Sequence, residues 1–285
     1  MKRFLLALLL AFWCAAALAQ PAAVIEGVQM PAWRERDGSR VPLVPGMELR
    51  PGDRIVTGKD SRVLVRMTEG SMVKLGENGR LVFTELQPSK ELFRAALQVL
   101  EGAFRFTTDL AAKGRKRDVS VKLDQVTIGM RGTDFWGRSR GERQVVCLIE
   151  GAIQVGADGE QPVTMNKPRQ FYRRDKGKIE PVGLVEPKQL EEWARETEIE
   201  NGKGAARRGG RFSVQLAEAG TRSALLSLHE QVRAAGYPAE IAMRKEGDKS
   251  SYIVRIRQLP SREEAEALAK QLKGKFGVKE PKVTG

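Results

Sequence analysis

Phe212-Ser213-Val214-Gln215-Leu216 alternates apolar and polar residues, and Tyr252-Ile253-Val254-Arg255-Ile256-Arg257 repeats the alternation further on. A period of two is the mark of a strand with one buried face. Each run leads into a helical pattern. Behind the first, Gly220-Thr221 opens a helix with Thr221 at its cap, and Leu225, Leu228 and Val232 fall on one face. Gly236 ends that helix in a left-handed turn, and a strand follows around Ile241 and Met243 before the turn at Gly247-Asp248. Behind the second run, Pro260-Ser261-Arg262-Glu263-Glu264 reads as a capping box in which Ser261 and Glu264 satisfy each other's backbone N–H. Ala265, Leu268, Leu272 and Phe276 make the buried stripe of that helix, Gly277 ends it, and Val278 to Val283 supplies a last strand. The order is β-α-β-β-α-β: a four-stranded antiparallel sheet with two helices on one face, an α+β fold.

The residues Phe212 to Leu216, the helix end Ala235-Gly236-Tyr237, and Tyr252 to Ile256 leading into Pro260 to Ala265 together resemble a SPOR domain, a peptidoglycan-binding module of bacterial envelope proteins. The resemblance spans residues 212–285. It departs from the family where many members carry a glycine and a proline after the third strand, for here Arg257-Gln258 stands.

Strand parity says which side chains are available to a ligand. With Val214, Leu216, Val254 and Ile256 turned to the helices, Ser213, Gln215 and Ala217, with Ile253, Arg255 and Arg257, lie on the open face. Amide, hydroxyl and guanidinium groups suit a sugar polymer. Glycan strands stripped of their stem peptides expose lactyl carboxylates, which a guanidinium meets with two parallel hydrogen bonds. From the residues alone a second reading stands beside this one: Arg255 and Arg257 solvate the sheet and pair with Glu240 on the neighbouring strand. The resemblance implies the glycan-binding reading and carries Gln215 and Arg255 onto matching family positions; strand parity adds Ser213, Ile253 and Arg257 to the site. RNA-binding sheets of this topology need aromatic rings on the open face; parity puts Phe212 and Tyr252 on the other face, so no nucleic-acid partner is expected.

At the other end, basic Lys2 and Arg3, an apolar run from Phe4 to Ala17 and Ala17-Leu18-Ala19 predict a secretory signal peptide over residues 1–19. The run is shorter than the roughly 20 residues needed to span a bilayer, and Trp13 before Cys14 argues against a lipoprotein signal. Removing Lys2 and Arg3 takes the formal charge from +13 to +11, a basic balance fitted to anionic envelope partners. Cleavage also removes Cys14. Cys147, inside the apolar run Val145 to Ile149, is then left as a small buried hydrophobe without a disulfide partner. The expected location is the periplasm, with possible enrichment at the division septum.

Residues 24–186 show short strands and tight turns at regular spacing and almost no helical periodicity, which predicts an all-β domain. Leu97 to Phe106 echoes Val146 to Val155: both read as strand, Glu-Gly turn, strand, so two equivalent hairpins or solenoid-like rungs are expected. Gly52-Asp53-Arg54-Ile55-Val56-Thr57-Gly58 and Met130-Arg131-Gly132-Thr133-Asp134-Phe135, with Glu150 to Val155 as a closing strand pair, resemble the FecR-like periplasmic domain. The resemblance implies a curved or solenoid-like all-β fold used for protein contacts in envelope signalling. Arg131 and Asp134 are expected to tie neighbouring strands together, and the basic cluster Lys113 to Arg117 to be an exposed loop.

Between the domains, residues 187–211 read as a helix from Pro187 with Leu190 and Trp193 on one face, Trp193 anchoring it to the β domain, followed by a flexible basic tether over Gly202 to Gly210. No catalytic set can be assembled. His229 is the sole histidine and has no cysteine near it in sequence, Glu191-Glu192 and Glu263-Glu264 sit at helix starts where they favour the dipole, and no phosphate-binding glycine loop occurs. No metal and no cofactor are expected. The sequence thus describes a non-enzymatic periplasmic protein that holds peptidoglycan glycan strands through its C-terminal domain and engages an envelope protein through its β domain. The alternative is a regulatory scaffold in which the β domain is the active part and the C-terminal domain only localises it.

Overall fold

Alternating runs broken by glycine turns bury one face each, and in the computed structural model they pair this way against one another. The structure describes residues 21–89, 91–108, 116–130, 132–247 and 249–285. The expected signal peptide with Cys14, residues 113–115 of the basic cluster, Arg131 and Asp248 lie outside the described residues, while Lys116 and Arg117 of that cluster open a strand instead of lying in the expected loop.

The first part of the chain forms β1 (Ala23–Gln29), β2 (Ala32–Arg36), β3 (Ser39–Pro42), β4 (Glu48–Leu49), β5 (Arg54–Thr57), β6 (Arg62–Met67), β7 (Met72–Leu75), β8 (Arg80–Pro88) and β9 (Leu92–Thr107). There follow β10 (Lys116–Leu123), β11 (Val126–Met130), β12 (Asp134–Arg140), β13 (Arg143–Glu150), β14 (Ile153–Ala157), β15 (Val163–Met165), β16 (Gln170–Asp175), β17 (Lys178–Ile179) and β18 (Gly183–Leu184). One layer runs β1-β6-β7-β9-β12-β13-β16, the other β3-β2-β5-β8-β9-β10-β11-β14-β15. All neighbours are antiparallel except β9 and β10. The all-β expectation holds.

β9 belongs to both layers. Phe93 to Glu101 pairs with β8 in one layer, and from Gly102 on the same strand pairs with β7 and β12 in the other. Gly102 has φ +92 and a Cβ there would stand 2.6 Å from Gly79 Cα, so only glycine fits this corner. Gly151 repeats the device, with φ +88 and a Cβ position 2.3 Å from Gly132 O. The echoed Glu-Gly pairs are therefore not hairpin turns. β13 pairs with β12 and β16 in one layer, β14 with β11 and β15 in the other. Each Glu-Gly is where the chain crosses between layers, and the buried residues of both layers form one apolar cluster between them.

α1 (Pro187–Arg195) lies on the outer face of the β1-to-β16 layer. Trp193 stacks on Trp136 of β12 at 4.7 Å between ring centroids and 7° between planes, beside Val145, Cys147 and Val185. The anchor role expected of Trp193 holds. Beyond α1 the alternating Glu196-Thr197-Glu198-Ile199-Glu200 crosses the same face. Glu196 meets Arg138 at 2.8 Å, Glu198 meets Arg105 at 3.0 Å and also Lys74, and Glu200 lies 3.9 Å from Arg62. Ile199 rests where Gly27 has no side chain.

The expected flexible tether is instead ordered. Ala205–Arg207 forms β19, antiparallel to β1 with Ala206 opposite Val28. Ala205 and Ala206 are fully buried there, and small side chains are what allow the close approach. Composition suggested a linker because neither alanine carries a strong apolar signal; the ladder to β1 and the two backbone N–H groups held by Glu264 decide the outcome.

The C-terminal part comprises β20 (Phe212–Ala219), α2 (Leu226–Ala234), β21 (Glu240–Glu246), β22 (Lys249–Leu259), α3 (Arg262–Leu272) and β23 (Lys282–Thr284), with sheet order β21-β22-β20-β23. This is the expected β-α-β-β-α-β sheet with its helices. Leu225 and Val232 are buried and Leu228 packs against the core, as read from the helical spacing. Gly236 has φ +88 and closes α2. Three local expectations differ. Thr221 does not cap α2, because a 3-10 turn at Ser223–Leu225 precedes the helix and Thr221 bonds the Ser223 hydroxyl instead. α3 stops at Leu272, since Gly274 already takes φ +80, and Phe276 reaches the core from the following loop to meet Tyr237 edge-on at 6.3 Å. The capping box is half formed: Ser261 Oγ accepts from Glu264 N at 3.2 Å, but the Glu264 carboxylate turns to Gly202 N at 2.7 Å and Ala205 N at 2.9 Å.

The domains are thus joined by more than the chain. Gly202 to Ala205 is held by α3, and at the other contact Trp33 Nε1 donates to Ala234 O at 3.1 Å and Ala32 N to Gly236 O at 3.3 Å. The apolar cluster continues without a break from the sandwich into the C-terminal domain.

Candidate functional site

Two bulges set the open face of the C-terminal sheet. In β20 the register shifts between Gln215 and Ala217, so Gln215 stands opposite Arg255 while Ala217 stands opposite Val254. An extra residue reverses parity beyond it. Ala217 and Ala219 accordingly pack on the core, and Glu218, opposite Ile253, comes to the open face. The expectation that Ala217 lies on the open face is overturned by this bulge, and Glu218 is the residue that parity missed. A bulge of this kind carries no glycine or proline to announce it. The second shift lies between Phe212 and Val214, opposite Gln258, which takes φ +66. Gln258 is the second residue of the pair Arg257-Gln258 at which the chain departs from the SPOR pattern, and its left-handed backbone is a conformation glycine adopts freely.

The site residues come together as follows. Gln215 of β20 and Arg255 of β22 are cross-strand partners, and Arg255 is in turn opposite Glu240 of β21. In the next row Glu218, Ile253 and Ala242 lie side by side, and beyond them Ser251 faces Arg244. Ser213 stands on the far side of the bulge next to β23, where its hydroxyl and that of Thr284 are 2.7 Å apart. Arg257 is exposed.

Internal pairing is extensive. Arg255 Nε donates to Glu240 Oε1 at 2.8 Å, and Arg257 Nη1 lies 3.5 Å from the same oxygen. The pairing with Glu240 that the residues allowed is therefore present. Gln215 Nε2 donates to Glu218 Oε2 at 3.1 Å, Ser251 Oγ donates to Glu218 Oε1 at 2.5 Å, and Arg244 lies 3.7 Å from Oε2. The Ser251 hydroxyl and then the Gln215 amide hold the Glu218 carboxyl below the usual carboxylate range. Gln215 and Ile253 are only 6% and 7% exposed, whereas the Arg255 side chain is 31% exposed. The partners of these residues all belong to the C-terminal sheet, while contacts to the sandwich run through α2, α3 and the linker. Phe212 and Tyr252 pack against the core, so the open face offers no ring for stacking a base.

The motif residues of the β domain act as ties between strands. Asp53 is fully buried and receives Arg36 Nε and Nη2 at 2.5 and 2.6 Å, with Arg50 N at 2.8 Å. Asp134 receives Arg105 of neighbouring β9 at 2.9 and 2.7 Å, and Thr133 Oγ1 donates to Ala152 O at 3.0 Å. Asp134 thus does what was expected of it. Burial pushes the Cys147 thiol up to about 12, the state of an inert hydrophobe rather than a nucleophile. Among the described residues no group of three or more metal-ligating side chains occurs, and no helix is long and apolar enough to cross a membrane.

Residues 53–154 match the family model described as FecR protein, and residues 209–280 match that of the SPOR domain. No curated protein matches the chain. Two crystal structures of a candidate anti-sigma factor from Parabacteroides distasonis ATCC 8503 align with it at 14% and 13% identity. Each alignment covers 69% of this chain and 96% of the other, with a TM-score of 0.41. The chain therefore carries a FecR domain over residues 53–154 and, C-terminal to it, a SPOR domain over residues 209–280, matches that support an envelope regulatory role and peptidoglycan binding respectively.

Proposed function

We propose that this is a non-catalytic periplasmic protein that holds peptidoglycan glycan strands lacking stem peptides on the open face of its SPOR sheet. Its FecR domain would serve as the regulatory, protein-contacting part. The observation that carries the reading is the composition of that face. Ser213, Gln215, Arg255 and Arg257 set hydroxyl, amide and guanidinium groups beside the apolar Ile253, and the sandwich docks on the helical side, away from them. Such a mixture of donors, acceptors and a small apolar surface matches a sugar polymer, which presents hydroxyls and acetamides along one edge.

The runner-up gives the FecR domain the active role and the SPOR domain that of an address. The ordered strap and β19 ladder favour a coupled version of it, because holding one domain on the glycan also fixes the orientation of the other. Sedimentation of the full chain with purified sacculi, before and after an amidase strips the stem peptides, tests the glycan assignment. Retention that rises on stripping is expected; no pelleting in either case overturns it.

A further inference from the structure

The carboxylate of Glu218 limits what the open face can present to a ligand. An ionised carboxylate only accepts hydrogen bonds. Facing Glu218 Oε2 at 3.1 Å, the Gln215 side chain must turn its NH2 inward, and the amide cannot flip without setting oxygen against oxygen. Gln215 Oε1 is thereby left as an acceptor in the little of the side chain that is exposed, and among the described residues no donor is recorded on it. Directly across the strand pair, Arg255 is held by its Nε on Glu240, which leaves its two Nη groups as donors. Cross-strand neighbours of this kind have Cβ atoms about 5 Å apart. Ile253 and Ala242, adjacent to each other in the next row, add a small apolar surface beside that pair.

An acceptor, a donor and an apolar patch in one corner are the complement of an acetamido group: N–H, C=O and methyl. We propose that Gln215, Arg255 and Ile253 form a subsite for the N-acetyl group of an amino sugar, and that Glu218 is its positioning residue. The subsite rests on the glycan reading given above and adds what part of the polymer is read there. Lactyl carboxylates have less to gain at this corner, because Arg255 and Arg257 already share Glu240.

The test compares binding of the full-length chain to stem-peptide-free glycan strands and to the same strands after N-deacetylation. Salt of about 0.5 M shrinks the Debye length to a few Å and screens the amines that deacetylation creates. The wild-type chain is expected to prefer acetylated strands about tenfold, the equivalent of one well-made hydrogen-bonded contact. Glu218→Ala removes the acceptor and should bring the preference to within about twofold, while Glu218→Gln lets the paired amides take either orientation and should lower it by a smaller factor. Thermal melts of both variants report whether the fold is kept; since Glu218 is exposed, at least the isosteric Gln variant is expected to melt as wild type does. If wild type binds the strands and the Glu218 variants keep its preference, the positioning role is overturned while glycan binding stands. Equal wild-type affinity for both strands overturns the acetamido subsite. If wild type binds neither strand, the glycan reading falls and takes the subsite with it.

Discussion

Replacing Glu264 with alanine removes the one side chain that ties the linker to the C-terminal domain by two backbone hydrogen bonds. Glu264 is 6% exposed, and its two oxygens take Gly202 N at 2.7 Å and Ala205 N at 2.9 Å. Hydrogen bonds to a charged group contribute about 1.5–3 kcal/mol each, and the two share one carboxylate and regain some water when it is lost. A loss of about 2–4 kcal/mol is expected for Glu264→Ala. Glu264→Gln keeps one acceptor oxygen but sets an NH2 against the second N–H, for a loss of about 1–3 kcal/mol. Urea unfolding of the full chain measures the total. Hydrogen exchange at the Gly202 and Ala205 amides, and trypsin cleavage after Lys203, Arg207 and Arg208, locate it. Faster exchange and cleavage in this segment should appear before the sheets open. A loss under about 0.5 kcal/mol with both amides still protected would refute the reasoning, since the strap would then be held by the β19 ladder and Leu268 packing without Glu264.

Two further substitutions probe features that the sequence disguises. Gln258 sits at φ +66 with its Oε1 buried and unbonded, so Gln258→Gly removes a left-handed penalty of about 1–2 kcal/mol and returns less than that in unfolded-chain entropy. The urea midpoint should rise; a fall would mean that the Gln258 side chain packs better than its backbone suggests. Burial pushes the Glu69 carboxyl above its usual range, against the opposing pull of the Ser71 hydroxyl, the neighbouring backbone N–H groups and Arg117. The folded chain therefore binds this proton more tightly than the unfolded chain. Stability from this group falls as pH rises from the ordinary carboxylate value through the raised folded one. Glu69→Gln should flatten that part of the stability curve and raise the urea midpoint at neutral pH, whereas a lowered midpoint would show that the ionised carboxylate is stabilising.

Much of the fold was legible because it rests on local pattern. Phe212 to Leu216 and Tyr252 to Arg257 are strands, Leu225 and Val232 are buried, and Trp193 anchors its helix, each as its spacing implies. What escaped depends on partners remote in sequence. Nothing in Ala205-Ala206-Arg207 says that β1 awaits it, and the Glu-Gly echo looks like a pair of hairpins until the second layer is present. Glu264 follows the capping-box spacing, yet two N–H groups about sixty residues earlier compete for it and win. At the site, Gln215, Arg255 and Ile253 lie where parity puts them as far as the bulge; beyond it Ala217 and Glu218 exchange faces, and the residue that orients the amide was hidden by one inserted position.

The central claim is that the open face of the SPOR sheet takes a glycan strand. Titration of the isotope-labelled full chain with stem-peptide-free strands, followed by backbone amide shifts, tests it at residue level. Perturbations centred on Gln215, Glu218, Ile253 and Arg255 are expected, with α2, α3 and the sandwich unmoved. Perturbations centred on the helices or the FecR domain, with the sheet face silent, would contradict it.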